Sequence, residues 1–227
     1  TIAALKLAKK NHSKTIAISN VIGSSITREA DYTIYTHAGP EIAVASTKAY
    51  TSQVVLLEIL AIYFAEILEK DEKEIKKLKD DILELPKKVE ETLKNEEQIK
   101  ELAKNIVDRK DVFFIGRGID YTVSLEDSLK LKEVSYIHSD AYAAGELKHG
   151  PIALIENGVP VIATMTDEKL VKKSISNLQE VITRGAKAIV VTNQDLKEYN
   201  FENVIQIPRV NKLLSPVISV IPMQLFA

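Results

Sequence analysis

Short β-branched segments alternate with helical segments through most of this chain, and this alternation constrains the fold more than any other feature. The strand-like segments are, in chain order, "KTIAISN", "DYTIYT", "DVFFIG", "VPVIATM", "AKAIVVTN" and "ENVIQIP". Segments between them, such as "YTVSLEDSLKLKEVSYI", carry apolar residues at helical spacing. Strands that alternate with helices predict a parallel sheet with helices on both of its faces.

The alternation occurs in two blocks, which a Lys/Glu-rich stretch separates. We predict that residues 1–70 are the C-terminal part of a first domain, that 71–102 are a helical linker, and that 103–227 are a second domain. The charges of the linker predict solvated helix faces, with an interruption at Pro86. The predicted fold is α/β, with two doubly wound parallel-sheet domains, the first of them truncated on its N-terminal side.

The most apolar part of the sequence, from Thr47 to about Lys70, predicts a long buried helix. Its longest apolar run, "VVLLEILAIYFAEIL", contains Glu58 and Glu66. That run is too short and too charged to predict a membrane span.

Composition excludes several classes of partner and chemistry. With 30 Lys and Arg against 32 Asp and Glu, the formal net charge is −2, which does not favour binding to nucleic acid. The sequence has no cysteine, which excludes disulfides, cysteine-ligated metals and cysteine nucleophiles. A cysteine-free, nearly neutral chain predicts a cytoplasmic protein.

The stretch "AYAAGELKHGP", residues 141–151, combines small residues with three acid–base side chains. Gly150 and Pro151 end it in a sharp turn that a helix cannot continue. Such a turn can hold the His149 imidazole at a fixed place, although a single histidine is more often structural than catalytic. No two histidines stand four residues apart, so no metal site is predicted.

Three charged residues, Glu126, Lys130 and Glu133, are spaced by four and three positions, so they share one face of a predicted helix. One interpretation is a surface row of ion pairs. The other is a carboxylate beside a cavity, with its proton affinity set by burial and by the lysine. The apolar neighbours of these residues favour the second interpretation, because they leave the helix little free surface.

Two glycine-containing loops are candidate ligand loops. "GPEIAVASTKAY", residues 39–50, is either a plain entry to a helix, with Ser46 or Thr47 as its cap, or a loop whose backbone amides approach a polar ligand. "GRG", residues 116–118, follows a predicted strand but lacks the third glycine of the dinucleotide pattern, so it is a weak signal.

Three longer segments are far more specific: "NVIGSSITREADYTIYTHAGPEIAVASTKAYTSQ", "GRGIDYTVSLEDSLKLKEVSYIHSDAYAAGELKHGPIALIENGVPVIA" and "SPVISVIPMQLFA". Together they resemble the isomerase region of the glutamine–fructose-6-phosphate amidotransferase (glucosamine-6-phosphate synthase) family over nearly the whole chain. The resemblance implies two sugar-isomerase (SIS-type) domains. The family's N-terminal glutaminase domain, its Ser-Gln-Ser-Gly-Glu-Thr phosphate loop and its C-terminal lysine tail are not in this sequence, so we expect little activity from this chain alone.

The resemblance implies roles for four residues. Glu133 matches the glutamate that moves a proton between C1 and C2 of the sugar, and Lys130 matches a lysine near it. His149 matches the histidine that is linked to ring opening and reaches the active site of the neighbouring subunit. Val44 matches a loop valine whose backbone contacts the substrate. These residue types suit the reaction, since one carboxylate can both take and return the proton, and histidine exchanges protons near neutral pH.

The implied reaction is the ketose-imine to aldose step of glucosamine 6-phosphate formation from fructose 6-phosphate and glutamine-derived ammonia. No cofactor is implied. The implied partners are the sugar phosphates, a glutaminase domain in the full-length chain and a second copy in a homodimer. Two alternatives stay open, a stand-alone sugar-phosphate isomerase or deglycase and a non-catalytic sugar-phosphate sensing module. The sensing module is less favoured, since a sensor needs no acid–base groups at Lys130, Glu133 and His149.

Overall fold

The structure of the protein is a computed structural model that describes residues 1–227. The chain forms two compact units, Thr1–Tyr63 and Phe64–Ala227, and the division falls inside one long helix. Each unit has its own sheet, and both sheets are parallel, as the alternation of strands and helices predicts.

The first unit contains a two-stranded sheet. Its elements are α1 (Ile2–Lys10), β1 (Ile16–Ser19), α2 (Ser25–Glu29), β2 (Tyr32–Tyr35) and the first part of α3 (Lys48–Ile67). The Asp31 carboxylate joins the beginnings of the two strands, because it accepts hydrogen bonds from the backbone and the hydroxyl of Thr15 at 2.9 and 2.8 Å. These bonds and the charge of Lys9 lower the pKa of Asp31.

Helix α3 is long, as predicted, but it is not buried. Ile62 is its only buried residue, while Leu57, Ile59 and Ile67 are each about half exposed. The predicted burial is wrong because two four-residue strands and two short helices supply too little surface to cover 20 residues of helix.

By length and composition alone, α3 is also long and apolar enough to cross a membrane. The sequence-based exclusion considered only the shorter run from Val54 to Leu68, whereas the helix extends back to Lys48. Core helices of soluble proteins meet the same criterion, so a single helix of this kind is weak evidence for a membrane span.

The second unit begins with the end of α3, followed by α4 (Glu72–Leu93) and α5 (Glu96–Lys104). Both helices bury an apolar stripe, which comprises Ile75, Leu78, Leu85, Ile99 and Leu102. The division at 63/64 therefore differs from the predicted one, in which residues 71–102 link two domains. The physical reason is this apolar stripe, which packs α4 and α5 against the C-terminal helices of the same unit.

Pro86 lies inside α4 and does not interrupt it. Proline removes one backbone hydrogen bond from a helix interior, but the turns on either side remain bonded and Leu85 next to it is buried. The sequence-based expectation of an interruption at Pro86 is therefore wrong.

The rest of the second unit is built on a five-stranded parallel sheet in the order β4-β3-β5-β6-β7. In chain order its elements are β3 (Asp111–Gly116), α6 (Ile119–Ser135), β4 (His138–Ala143), β5 (Pro160–Met165), α7 (Val171–Thr183), β6 (Lys187–Thr192), β7 (Asn203–Gln206), α8 (Ser215–Ser219) and α9 (Ile221–Phe226).

Helices cover both faces of this sheet. On one face, Val161 and Val190 pack with Leu178 of α7 in the main hydrophobic cluster. On the other face, α6 lies against the sheet, where Ser128 and Ser139 of β4 hydrogen-bond through their side chains at 3.1 Å. The second unit is therefore doubly wound, as predicted.

One strand was not predicted. The segment "HSDAYA" forms β4, an edge strand that pairs in parallel with β3 from Asp111–His138 to Gly116–Ala143. It contains no β-branched residue and only Ser139 is buried in it, so it lacks the apolar pattern of the other strands. Pairing with β3 determines its conformation.

Candidate functional site

Lys130 of α6 lies between two carboxylates of the same helix. Its Nζ is 3.7 Å from Glu126 Oε1 on one side and forms an ion pair with Glu133 Oε2 on the other. The Lys130 side chain is 5% exposed, that of Glu126 is 14% exposed and that of Glu133 is 35% exposed. A surface row of ion pairs would leave the lysine in water, so the burial of Lys130 excludes that interpretation.

Burial raises the pKa of Glu126, and the charge of Glu133 raises it further, while Lys130 opposes the shift. Two carboxylates thus share one buried ammonium group. The more accessible of them, Glu133, can accept and return a proton, and Lys130 supplies positive charge beside it. The arrangement is suited to proton transfer on a small substrate.

The position of α6 depends on the "GRG" segment that precedes it. A Cβ atom on Gly116 would lie 2.4 Å from the Asp120 carbonyl carbon, so only glycine allows α6 to start this close to the strand. Gly118, at the N-cap, has φ of 58°. Close packing therefore requires glycine at position 116, and the positive φ favours glycine at position 118.

A buried carboxylate fixes the first turn of α6 to the end of β5. Asp120 is 2% exposed and accepts hydrogen bonds from the backbone of Thr166 at 2.8 Å and from the Thr166 hydroxyl, which also bonds Ser215 at 3.2 Å. Burial raises the pKa of Asp120, and the Thr166 hydrogen bonds partly oppose this shift. No sequence pattern pointed to Asp120.

His149 lies in the turn that the sequence predicts, within a short 3-10 segment, Leu147–His149. Its backbone N–H donates to the Glu146 carbonyl at 3.0 Å, and its side chain is exposed. The next residue, Gly150, has φ of 150°, which favours glycine. The imidazole has no hydrogen bond or ion pair with Lys130 or Glu133.

Arg117 anchors the loop that leads to this turn. A Cβ atom on Gly145 would lie 2.6 Å from an Arg117 guanidinium nitrogen, so the arginine packs directly on the Gly145 backbone. Arg117 Nε also donates to Asn177 Oδ1 of α7 at 3.1 Å. One small residue of "AYAAGELKHGP", Gly145, therefore serves a close contact within the second unit.

In the first unit, Val44 lies in the loop between β2 and α3 and is 98% exposed. Glu41 organises this loop, because its carboxylate accepts hydrogen bonds from the Ser46 hydroxyl at 3.0 Å and from the Thr47 backbone at 2.9 Å. These bonds lower the pKa of Glu41. The sequence pointed to Ser46 and Thr47 as caps, but it gave no signal for the carboxylate that they bind.

A pocket of about 780 Å³ adjoins the start of this loop at the carboxyl ends of β1 and β2. It is lined by Asn20, Val21, Ile22, His37, Gly39, Pro40, Glu41 and Ala49. Asn20 supports its rim, since its side chain donates to the Gly39 carbonyl at 2.6 Å and accepts from the Ala38 backbone at 2.9 Å. Carboxyl ends of parallel strands are where open α/β sheets bind ligands.

The structure therefore brings Lys130 and Glu133 into contact and places His149 in the same unit without a contact to either. Val44 belongs to the first unit. No group of three or more histidine, aspartate or glutamate side chains in the protein is arranged to hold a metal ion.

Sequence reasoning also missed Asp127, one position after Glu126 on α6. It is 1% exposed, and neither of its carboxylate oxygens has a hydrogen-bond partner in the chain. Burial, followed by the charge of Glu126, raises its pKa well above the usual range. Helical spacing from Asp120 places it on the inner face, but spacing cannot show that its carboxylate is unpaired.

Comparison with known proteins identifies the fold family. The chain matches the family model described as "SIS domain" over residues 1–63 and 105–227. It is 54% identical to the Clostridium tetani protein named "Glutamine--fructose-6-phosphate aminotransferase [isomerizing]" and 48% identical to the protein of that name from Thermococcus kodakarensis. Each match covers 100% of this chain and 38% of the relative.

A solved structure agrees with these matches. The structure titled "C-terminal domain of glucosamine-fructose-6-phosphate aminotransferase from Francisella tularensis" superposes with a TM-score of 0.95 at 37% identity, over 100% of this chain and 65% of that one. The resemblance that the sequence predicts is thus confirmed, and the chain spans well under half the length of its curated relatives. With its parallel sheets and its match over both units, the chain belongs to the SIS-domain family.

Proposed function

We propose that this chain carries the isomerase chemistry of glucosamine 6-phosphate synthesis from fructose 6-phosphate and glutamine-derived ammonia. The observation that carries the proposal is the buried Lys130 ammonium beside the accessible Glu133 carboxylate. The names of the relatives support the same reaction.

In the proposed reaction, ammonia condenses with the ketone at C2 of fructose 6-phosphate, and water leaves. Glu133 then takes a proton from C1 and returns it to C2, while the imine nitrogen gains a proton and the C1 hydroxyl loses one, which converts the ketose imine into the aldose amine. Lys130 stabilises negative charge on the enediol-like intermediate, since a fixed cation in a buried site is stronger than one in water.

Two further roles complete the proposal. His149 transfers a proton during opening of the sugar ring and reaches the site of the neighbouring subunit in a homodimer. Its exposed imidazole, free of partners within its own chain, supports this role. Val44 contacts the substrate through its backbone, in a loop that Glu41 holds in place. We also propose a cytoplasmic location and a glutaminase domain as the source of ammonia.

The test is an assay of the full product of the gene, with fructose 6-phosphate and glutamine as substrates and glucosamine 6-phosphate as the measured product. Glu133→Gln keeps the shape of the side chain but removes the base. We expect it to lower kcat by about 10²–10⁴ with little change in KM. Glu180→Gln, an exposed change on α7, is the control and should leave both constants unchanged. Unchanged kcat in the Glu133→Gln variant would assign the base to another residue.

A further inference from the structure

A second pocket lies at the carboxyl ends of the strands of the second unit. It has a volume of about 250 Å³ and is lined by Thr166, Asp167, Glu168, Lys169, Asn193, Gln194, Arg209, Val210 and Lys212. These residues follow β5, β6 and β7, so the pocket, here called the β5–β7 pocket, occupies the edge at which α/β sheets bind ligands.

The pocket has an excess of cationic side chains. Lys169, Arg209 and Lys212 line it, against the two carboxylates of Asp167 and Glu168. Only Lys212 is in an ion pair, with Asp167 Oδ2 at 2.7 Å. Lys169 and the Arg209 guanidinium form no ion pair with a carboxylate, although the charge of Lys169 also acts on Asp167.

Buried groups hold two of these cations in place. Asp167, which pairs with Lys212, has a side chain only 6% exposed. Arg209 Nε donates to the backbone carbonyl of the buried Asn193 at 3.0 Å, which fixes the plane of the guanidinium group and leaves both terminal nitrogens unbonded. A fixed guanidinium fork beside lysines matches the geometry of a phosphate group.

The floor of the pocket is rigid for a separate reason. The backbone of Thr166 and Asp167 is bonded to the buried Asp120 carboxylate, and Gln194 Nε2 donates to the Thr166 carbonyl at 3.2 Å. The ends of β5 and β6 are thus tied together beneath the cations. A preorganised site loses less conformational entropy when it binds a ligand.

A larger pocket of about 380 Å³ adjoins the first and shares Asn193 and Arg209 with it. Its other lining residues are Asp195, Lys197, Gln206 and Ile207. The carboxylate and amide groups suit hydroxyl groups of a ligand, and Lys197 adds a further unpaired cation. Arg209 stands at the junction, where it can contact a phosphate while the rest of the molecule extends into the adjoining pocket.

We propose that the β5–β7 pocket binds the phosphate of a small, hydroxyl-bearing phosphorylated molecule, at a site separate from the one that carries the isomerase chemistry. Asp120, which supports the pocket, is ten positions before Lys130 on α6, and this spacing corresponds to about 15 Å along the helix. The ligand therefore does not reach Lys130 or Glu133 through its phosphate.

The test is an NMR titration of the ¹⁵N-labelled chain with inorganic phosphate, with sodium chloride used to hold the ionic strength constant. We expect saturable shifts in the backbone amide signals of residues 167–170, 193–194 and 210–212. Arg209→Gln should weaken this binding by at least about tenfold, because it removes the charge and the fork that contact phosphate. The matched control is Lys173→Gln, an exposed charge on α7 outside the pocket, which should leave the affinity unchanged.

Fructose 6-phosphate, titrated in the same way, should shift the same signals at a lower concentration than inorganic phosphate does and should add shifts at residues 195–197. Lys169→Gln, at an exposed position, gives a second weakened variant in case Arg209→Gln alters folding. Equal weakening by Lys173→Gln, shifts that do not saturate, or shifts confined to residues 20–49 would each overturn the proposal. None of these outcomes depends on isomerase activity.

Discussion

Lys130 and Glu133 form an ion pair one turn apart on α6, in which the lysine is almost completely buried and the glutamate is accessible. A buried ammonium group requires compensating charge, and Glu126 on its other side provides part of it at 3.7 Å. Glu126 and Glu133 therefore share the charge of one buried lysine.

The first prediction concerns this sharing. Glu126→Gln leaves Lys130 with Glu133 as its one carboxylate partner on α6, so Lys130 holds that carboxylate more tightly and makes it less available to a substrate. In the full gene product, the rate at neutral pH should therefore fall by about tenfold. Glu126→Asp, which keeps the charge, should restore most of the rate.

The direct measurement is a ¹³C NMR titration of the Glu126 carboxyl group in the wild type and in Glu133→Gln, where loss of the Glu133 charge should lower the raised pKa of Glu126. A Glu126 pKa that does not change in Glu133→Gln would show that the two carboxylates do not share Lys130. Enzyme kinetics alone could not separate these cases, because a misplaced helix also lowers the rate.

The second prediction concerns Asp127, whose pKa burial raises well above the usual range. An acid with a raised folded-state pKa contributes most stability below its unfolded-state pKa, and this contribution is lost as the pH rises toward the folded-state value. Relative to Asp127→Asn, the wild-type protein should therefore lose up to about 1.4 kcal/mol of unfolding free energy for each pH unit above about 4.

Urea unfolding of the two proteins from pH 4 to pH 8 measures this difference. The wild type should be the less stable of the two at pH 8, because Asp127 ionises freely in the unfolded chain, whereas the folded chain must keep it protonated or bury an unpaired charge. If the unfolding free energies of the two proteins change with pH in the same way across this range, the Asp127 carboxylate has a partner in solution.

The third prediction concerns assembly. If His149 acts in the site of the neighbouring subunit, a dimer of one Glu133→Gln chain and one His149→Asn chain has one site with both changes and one site with neither. Mixing and refolding the two inactive full-length variants in equal amounts should restore about a quarter of wild-type activity, since half of the dimers are mixed. Analytical ultracentrifugation should show a species of twice the monomer mass.

No recovery of activity, with dimers present in the ultracentrifuge, would place Glu133 and His149 in the same site of one subunit. A monomer alone would contradict the proposed homodimer. For this chain by itself, the same run should show association above 25.3 kDa at tens of micromolar.

The fold of the second unit could be predicted from the sequence because its strands carry their own signal. Residues 160–165 and 187–192 are rich in β-branched residues, and all of the first strand and the last four residues of the second are buried, so pattern and structure agree. β4 was missed because its conformation comes from pairing with β3, and a polar edge strand leaves no apolar pattern.

The candidate site was predictable only in part, for a related reason. Helical spacing places Lys130 and Glu133 on one face. The apolar neighbours were a wrong guide to burial, because Leu125, Leu129 and Val134 are exposed although Lys130 is buried. The contacts of Asp120 with Thr166 and of Arg117 with Gly145 join residues far apart in the chain, and only the folded structure determines them. Glu41 likewise has no recognisable pattern, because a carboxylate six residues before a backbone N–H is not a standard cap.

The last prediction concerns the unequal stability of the two units. Only Leu5, Thr15, Ala17 and Ile62 are buried in the first unit, whereas β3, β5 and β6 of the second are almost entirely buried. Buried apolar surface is the main source of stability, so the first unit should open at a much lower free-energy cost. In native-state hydrogen exchange of this chain, amides of residues 16–19 and 32–35 should exchange at least a hundredfold faster than those of residues 112–115 and 188–191. This ratio corresponds to about 2.7 kcal/mol.

Leu5→Ala should accelerate the exchange of the first group of amides alone, and Leu178→Ala should accelerate that of the second group. Equal protection of the two sheets would mean that the chain opens as one cooperative unit, and the division at 63/64 would then have no energetic meaning.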